Sequence, residues 1–238
     1  MILYGRNAVR EALRAGRRPV HELWATDAAI EHEPWLREAG VPLHVATTAD
    51  LVHRCDSEGH QGVCARTEGY PYVSAHDLLR RPDPLIVALD EVQDPQNLGA
   101  VCRTAEAVGA TGLVIPERRS AEVTGAVCKA SAGAVEHLAI ARVRNLADFL
   151  ADAKAAGCWC YGADAGAPTP YDTPDYAGGV VAVLGSEGRG LRPRVAAACD
   201  ALVSLPLRGR IGSLNVSATA AAWLYEILQG RGGIDSAS

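Results

Sequence analysis

The texture of the apolar positions changes at about residue 85. Beyond it, short apolar runs of strand length alternate with stretches in which apolar residues recur every three or four positions. Leu85 to Leu89 is wholly apolar, as expected of a strand covered on both faces. Leu98 to Val108 has helical spacing and stops at Gly109. The alternation continues with a strand at 113–115, a helix over 122–131, a strand over 137–143 and a helix over 146–156 closed by Gly157. Strands at 158–161 and 180–184, a helix over 191–198, a strand at 201–205 and a long helix over 214–229 complete it. Repeated β-α-β order predicts an α/β unit built on a parallel sheet with helices on its faces.

The first 68 residues read as a smaller α/β unit. Arg6 to Leu13 has helical spacing, Glu22 to Ala25 is a short strand, and Glu33 to Ala39 is a short helix ended by Gly40 and Pro42. Leu43 to Ala46 and Gly62 to Arg66 look extended. Residues 69–84 run from Gly69-Tyr70-Pro71 to Arg80-Arg81-Pro82-Asp83-Pro84, the composition of a linker. The expected division is therefore 1–68, a linker over 69–84, a larger unit over 85–230 and a tail over 231–238.

Composition narrows the class. Apolar residues make up 48% and charged residues 21% of the chain, which suits a globular protein. The seven cysteines include no Cys-x-x-Cys pair, and Cys158 and Cys160 fit alternate faces of a strand, so no metal site is expected. No run of eighteen apolar residues predicts a membrane helix, and Arg6 and Arg10 interrupt any cleavable leader. A cytoplasmic protein with reduced thiols is the expectation.

A formal net charge of −5 runs against a nucleic-acid partner, because neutralising phosphates usually requires a basic surface. Local clustering leaves room for such a partner, so the net charge is a caution and not a veto. Arg6, Arg10, Arg14, Arg17 and Arg18 are accompanied by only one acid, Glu11, and Arg189, Arg192, Arg194, Arg208 and Arg210 form a second cluster. All but two of the 23 basic residues are arginine, the better fork for phosphate.

Ligands of open parallel sheets bind beyond the carboxyl ends of the strands, and three segments of the chain fall there. In Leu89 to Thr104, Asn97 reads as a helix N-cap, with Arg103 further along; alone, this is equally a cap and a solvent-facing arginine. Gly185-Ser186-Glu187-Gly188-Arg189-Gly190 follows an apolar strand. Its glycines permit close backbone approach to a ligand, but their order is neither the dinucleotide fingerprint nor a phosphate loop, and a structural turn is as good a reading. In the third, Ser213, Asn215 and Ser217 open the last helix, where Ser213 and Ser217 would share a face and could serve simply as capping groups.

Taken together and in this order, Asn97 with Arg103, Gly-Ser-Glu-Gly-Arg-Gly and Ser213-Leu214-Asn215-Val216-Ser217 resemble the three motifs of the TrmH/SpoU family of SPOUT RNA 2′-O-ribose methyltransferases. Tyr4-Gly5-Arg6-Asn7-Ala8-Val9 and His60-Gln61-Gly62-Val63 resemble the ribosomal-protein-like substrate-binding domain of the 23S rRNA guanosine 2′-O-methyltransferases. The resemblance implies a C-terminal deep trefoil knot and S-adenosylmethionine as cofactor, held by Leu184, Gly185, Leu205, Pro206, Ser213, Leu214 and Ser217. It implies Arg103 as the catalytic arginine, with Asn97, Glu187 and Asn215 beside it, and a homodimer with the active site at its interface. RNA is the implied partner, gripped by Arg6, Arg10, Arg17 and Arg18. A tRNA methyltransferase and a non-catalytic RNA-binding relative are the alternatives.

Overall fold

The computed structural model describes residues 1–232, so the expected tail lies outside the described residues beyond Gly232. In chain order the elements of the first unit are β1 (Ile2–Tyr4), α1 (Arg6–Ala15), β2 (Val20–Ala25), α2 (Asp27–His32), α3 (Trp35–Glu38), β3 (Leu43–Val45), α4 (Thr48–Cys55) and β4 (Val63–Thr67). Its sheet has the order β1-β4-β2-β3, with β4 antiparallel to both neighbours and β3 parallel to β2. Thr47 and Asp50 form a reciprocal capping box that fixes the start of α4.

After α5 (Ala75–Leu79) come β5 (Leu85–Asp90), α6 (Pro95–Ala107), β6 (Gly112–Pro116), α7 (Gly125–Ala130), β7 (Ile140–Val143), α8 (Leu146–Ala155) and β8 (Trp159–Ala163). Then follow β9 (Thr169–Pro170), β10 (Val180–Gly185), α9 (Pro193–Ala198), β11 (Ala201–Ser204) and α10 (Val216–Gly230). The second sheet has the order β7-β6-β5-β10-β8-β11-β9, and every pairing is parallel among the described residues. Strands β5 and β10 are buried over almost their whole length, as their apolar sequences require. The chain builds outward from β5 through β6 and β7, then crosses to β8 and returns β10 between β5 and β8. Strand direction of travel reverses beside β5, and a crevice opens there at the carboxyl ends.

Several boundaries differ from the sequence reading. Asn97 is not the cap of α6: Asp94 caps it by accepting from the Gln96 amide, and Pro95 occupies the first turn, where its missing N–H costs nothing. The last helix begins at Val216 with Asn215 as its cap, so Ser213 lies before the helix and shares no helical face with Ser217. The helix expected over 122–131 is confined to Gly125–Ala130, because the Val123 amide donates to the Tyr72 hydroxyl and Ala121 to the Val92 carbonyl. The strand expected over 137–143 begins only at Ile140, after a 3₁₀ turn over Ala134–Glu136. The helix expected from Leu191 starts at Pro193, since the Arg192 amide donates to Asp90.

The seam between the two sheets is packed and bridged by charge. Arg18 donates through Nε to Glu136 Oε2 at 3.1 Å and pairs through Nη2 with Glu136 Oε1, both side chains being 1% exposed. Its Nη1 donates to the Glu68 carbonyl at 3.1 Å. Arg17 donates to the Leu138 carbonyl at 2.6 Å and to the Tyr70 hydroxyl at 3.3 Å. These two arginines, expected to grip RNA, are instead spent on joining the first unit to the second. Each reads as a free cation in the sequence; Glu136 and Leu138, which they meet here, lie about 120 positions away, beyond the reach of any local pattern. The stretch expected as a linker also packs onto the second sheet, where Val73 bridges Ala141.

Candidate active site

The carboxyl ends of β8, β10 and β11 converge with the start of α10 on a cavity of about 440 Å³. Leu184, Gly185, the turn from Ser186 to Leu191, Leu205, Ser213, Leu214 and Val216 line it, together with Asp164 after β8 and Thr219 on α10. A second cavity of about 330 Å³ lies beside it, lined by Glu91, Gln93, Asp94 and Asn97. Ser186, Glu187, Arg189 and Val216 line both, so the glycine-rich turn is their shared wall.

Sequence explains the shape of that turn. A Cβ on Gly185 would lie 2.1 Å from the Gly190 carbonyl carbon, so only glycine lets the chain fold back on the end of β10. Gly188 and Gly190 have φ of +75° and +65°, the left-handed region that glycine enters without strain. The Gly190 amide closes the turn by donating to the Ser186 carbonyl at 2.9 Å.

Three side chains meet at the wall between the cavities. Asn97 donates through Nδ2 to Glu187 Oε1 at 2.9 Å. Asn215 donates to Asn97 Oδ1 at 3.0 Å and to Glu187 Oε1. The other face of the Asn215 amide accepts from the Ser217 amide at 2.8 Å and its hydroxyl at 2.6 Å, so one side chain caps α10 and holds the triangle. Asp94 Oδ2 accepts from Asn97 at 3.3 Å and completes the support on the α6 side. Hydrogen bonds to a carboxylate are the stronger kind, and here they join three segments distant in sequence.

The remaining expected residues are distributed unevenly. Leu184, Gly185, Leu205, Ser213 and Leu214 line the larger cavity; Ser217 supports it through Asn215; Pro206 lies outside its lining. Arg103 is exposed on α6 and lines neither cavity. Six residues after Asn97, about one and two-thirds turns, it leaves the helix on another face. Arg6 and Arg10 are exposed on α1, and Arg6 is paired with Glu33 at 3.2 Å. Sequence reasoning passed over Asp164, Glu91, Asp94 and Thr219. The rule that ligands gather at strand carboxyl ends pointed to the first two, which follow β8 and β5 directly.

A closed glycine-rich turn at the switch point of a parallel sheet separates two cavities, with the contacts among buried Asn97 and exposed Glu187 and Asn215 at their boundary. The sequence pattern of the SpoU rRNA methylase family matches residues 84–225, and that of the RNA 2′-O ribose methyltransferase substrate-binding family matches residues 2–73. The chain belongs to the SpoU methylase family of RNA methyltransferases. It is 37% identical over 237 residues to the putative TrmH family tRNA/rRNA methyltransferase YacO of Bacillus subtilis, covering 95% of this chain and 94% of that one. Its fold is similar to the SpoU methyltransferase AviRb of Streptomyces viridochromogenes crystallised with AdoMet (TM-score 0.81, 28% identity, 96% of this chain and 89% of that one). It is also similar to the AdoMet-bound rRNA methyltransferase of Sinorhizobium meliloti (TM-score 0.80, 27% identity, 96% and 86%).

Proposed function

We propose that this protein transfers a methyl group from S-adenosylmethionine to a ribose 2′-hydroxyl of structured RNA, with a guanosine of 23S rRNA as the target. The observation that carries the reading is the triangle of Asn97, Glu187 and Asn215, which binds the walls of two adjoining cavities into one site. The larger cavity fits the cofactor. Its volume is in the range of small-molecule sites. Leu184, Leu205 and Leu214 offer apolar surface, Gly185 leaves the backbone bare, and the carboxylates of Asp164 and Glu187 suit a cationic ligand. S-adenosylmethionine supplies there an electrophilic methyl group on a sulfonium.

The smaller cavity, on the Asn97 side of the shared wall, takes the nucleotide. Glu187 and its two amide partners fix the wall against which cofactor and ribose are aligned, and such alignment is worth about 7–11 kcal/mol in the best intramolecular cases. Arg103 carries a planar guanidinium fork that matches phosphate geometry. It binds the nucleotide's phosphate and stabilises the developing oxyanion, and the hydroxyl proton leaves to phosphate or water.

Arg103 lies outside both cavities of its own chain, which supports a homodimer in which each site receives this arginine from the other copy. Leu214, 48% exposed, and Ile211, 76% exposed, present apolar surface beside the larger cavity that such an interface would cover. The domains of this reading are 1–68 for RNA binding, 69–84 as connection and 85–230 for catalysis, with a trefoil knot formed by the segment leading into α10. Return of β10 between β5 and β8 supports that topology. Arg6 and Arg10, one helical turn apart on α1, contact the RNA backbone. The separate N-terminal sheet favours rRNA over tRNA as substrate. A cytoplasmic site of action belongs to this reading; no helix among the described residues is long and apolar enough to cross a membrane.

Calorimetric titration with S-adenosylmethionine and single-turnover methylation of rRNA test the proposal together. Saturable binding with ribose methylation supports it, and Arg103→Lys should lose most of the rate. A chain that binds no S-adenosylmethionine refutes it.

A further inference from the structure

We propose that Asp90 and Arg192 form a clasp that positions the Glu187 turn, coupling the larger cavity to the smaller one. The inference rests on reading the larger cavity as the S-adenosylmethionine site. Asp90 is the last residue of β5 and is fully buried. A buried carboxylate is costly unless well paired, and among the described residues every partner of the Asp90 side chain comes from one residue. The Arg192 amide donates to Asp90 Oδ2 at 2.8 Å, Arg192 Nε to Oδ1 at 2.8 Å, and Arg192 Nη2 lies 2.6 Å from Oδ1. Hydrogen bonding to Asp90 raises the Arg192 pKa above its ordinary value.

Arg192 is the first residue after the turn that carries Glu187. The turn is thus held at both ends: Gly185 belongs to β10 at its entry, and Arg192 is tied to the neighbouring β5 at its exit. The free arm of the guanidinium, Nη1, lies 3.2 Å from Glu91 Oε1, and Arg119 approaches the same oxygen at 3.6 Å. Glu91 lines the smaller cavity and has φ of +58°, a strained conformation for a residue with a side chain. Both guanidiniums lie within ion-pair range of Glu91 Oε1, which is buried and has no hydrogen-bond partner among the described residues. One arginine therefore ties the exit of the cofactor turn to β5 with one arm and places the other in ion-pair range of Glu91 at the edge of the nucleotide cavity. A lysine cannot reproduce this, because an ammonium is a point charge without a planar fork.

Arg192 is a positioning residue: it acts through Glu187 and touches neither ligand. A double-mutant cycle on the full chain tests it, using wild type, Arg192→Lys, Glu187→Gln and the pair. Each is measured for S-adenosylmethionine affinity, single-turnover rate and melting temperature. The clasp predicts that Arg192→Lys, assayed well below its melting temperature, binds and reacts about tenfold more weakly. On the Glu187→Gln background the further loss should shrink to about twofold. Asp90→Asn, which keeps the side chain's shape, should reproduce the same coupling if Arg192 acts through Asp90. Equal losses on both backgrounds, or a loss that follows the melting temperature alone, overturn the clasp. A wild-type chain that binds no S-adenosylmethionine overturns the cavity reading itself, and the clasp with it; wild-type binding with additive variants overturns the clasp alone.

Discussion

Asn97 donates its side-chain amide to Glu187 across 90 positions of sequence, and that bond is where the two cavities of the site meet. Glu187 also accepts from Asn215, so its removal takes one charged acceptor from each of two amides, one of them on the buried Asn97. A hydrogen bond to a charged group is worth about 1.5–3 kcal/mol. Glu187→Ala should therefore lower the single-turnover methylation rate about tenfold to a hundredfold, with an unchanged melting temperature because Glu187 itself is exposed. Single-turnover kinetics beside thermal denaturation check it; a rate loss matched by a collapse in stability would count against the assignment.

Arg18 and Glu136 predict a different phenotype. Both side chains are 1% exposed and they pair across the seam of the two sheets. Arg18→Ala leaves the Glu136 charge buried alone and should cost about 3–5 kcal/mol in denaturant unfolding. Replacing both residues by methionine should recover most of that loss, since an apolar pair of similar volume carries no stranded charge. A surface-like effect below about 1 kcal/mol for Arg18→Ala would show that the seam opens in solution.

Gly185 offers a narrower test. A Cβ there would lie 2.1 Å from the Gly190 carbonyl carbon. Since backbone atoms cannot give way as a flexible side chain can, Gly185→Ala should open the turn and weaken S-adenosylmethionine binding at least about tenfold. Ala introduced at Gly109, where nothing lies within 4 Å but φ is +71°, should cost some stability and leave binding intact. Comparable binding losses for the two variants would contradict the role given to the turn.

Alkaline conditions should destabilise the fold. Burial pushes the thiols of Cys64, Cys160 and Cys199 up to about 12 from an ordinary 9. These pKa values are raised in the folded state, so their contribution is whole below pH 9 and is lost as pH rises from 9 towards 12, where the unfolded chain alone releases protons. Melting temperature should accordingly fall through that window. Serine at the three positions should flatten the fall, a change that differential scanning calorimetry can read.

Much of this was legible in the residues. The apolar runs of β5 and β10 have no other good reading than strands buried on both faces, and the glycines of 185–190 marked the turn. What escaped was pairing over distance. Asn97 looked like a cap because amides at helix starts usually are; the actual cap, Asp94, stood three residues earlier beside a proline suited to the first turn. Arg17 and Arg18 looked like an RNA grip because a sequence shows charge but not the Glu136 carboxylate or the Leu138 carbonyl folded against it. Asp90 and Arg192, 102 positions apart, carried no local signal at all.

The most direct test of the account is the chemical identity of the methylated product. Ribosomal RNA incubated with the protein and S-adenosylmethionine carrying an isotopically labelled methyl group is digested to nucleosides and resolved by mass spectrometry. The account predicts label on the ribose, as 2′-O-methylguanosine from 23S rRNA, with the yield abolished by Arg103→Ala. Label on a base, or none despite bound S-adenosylmethionine, would contradict it.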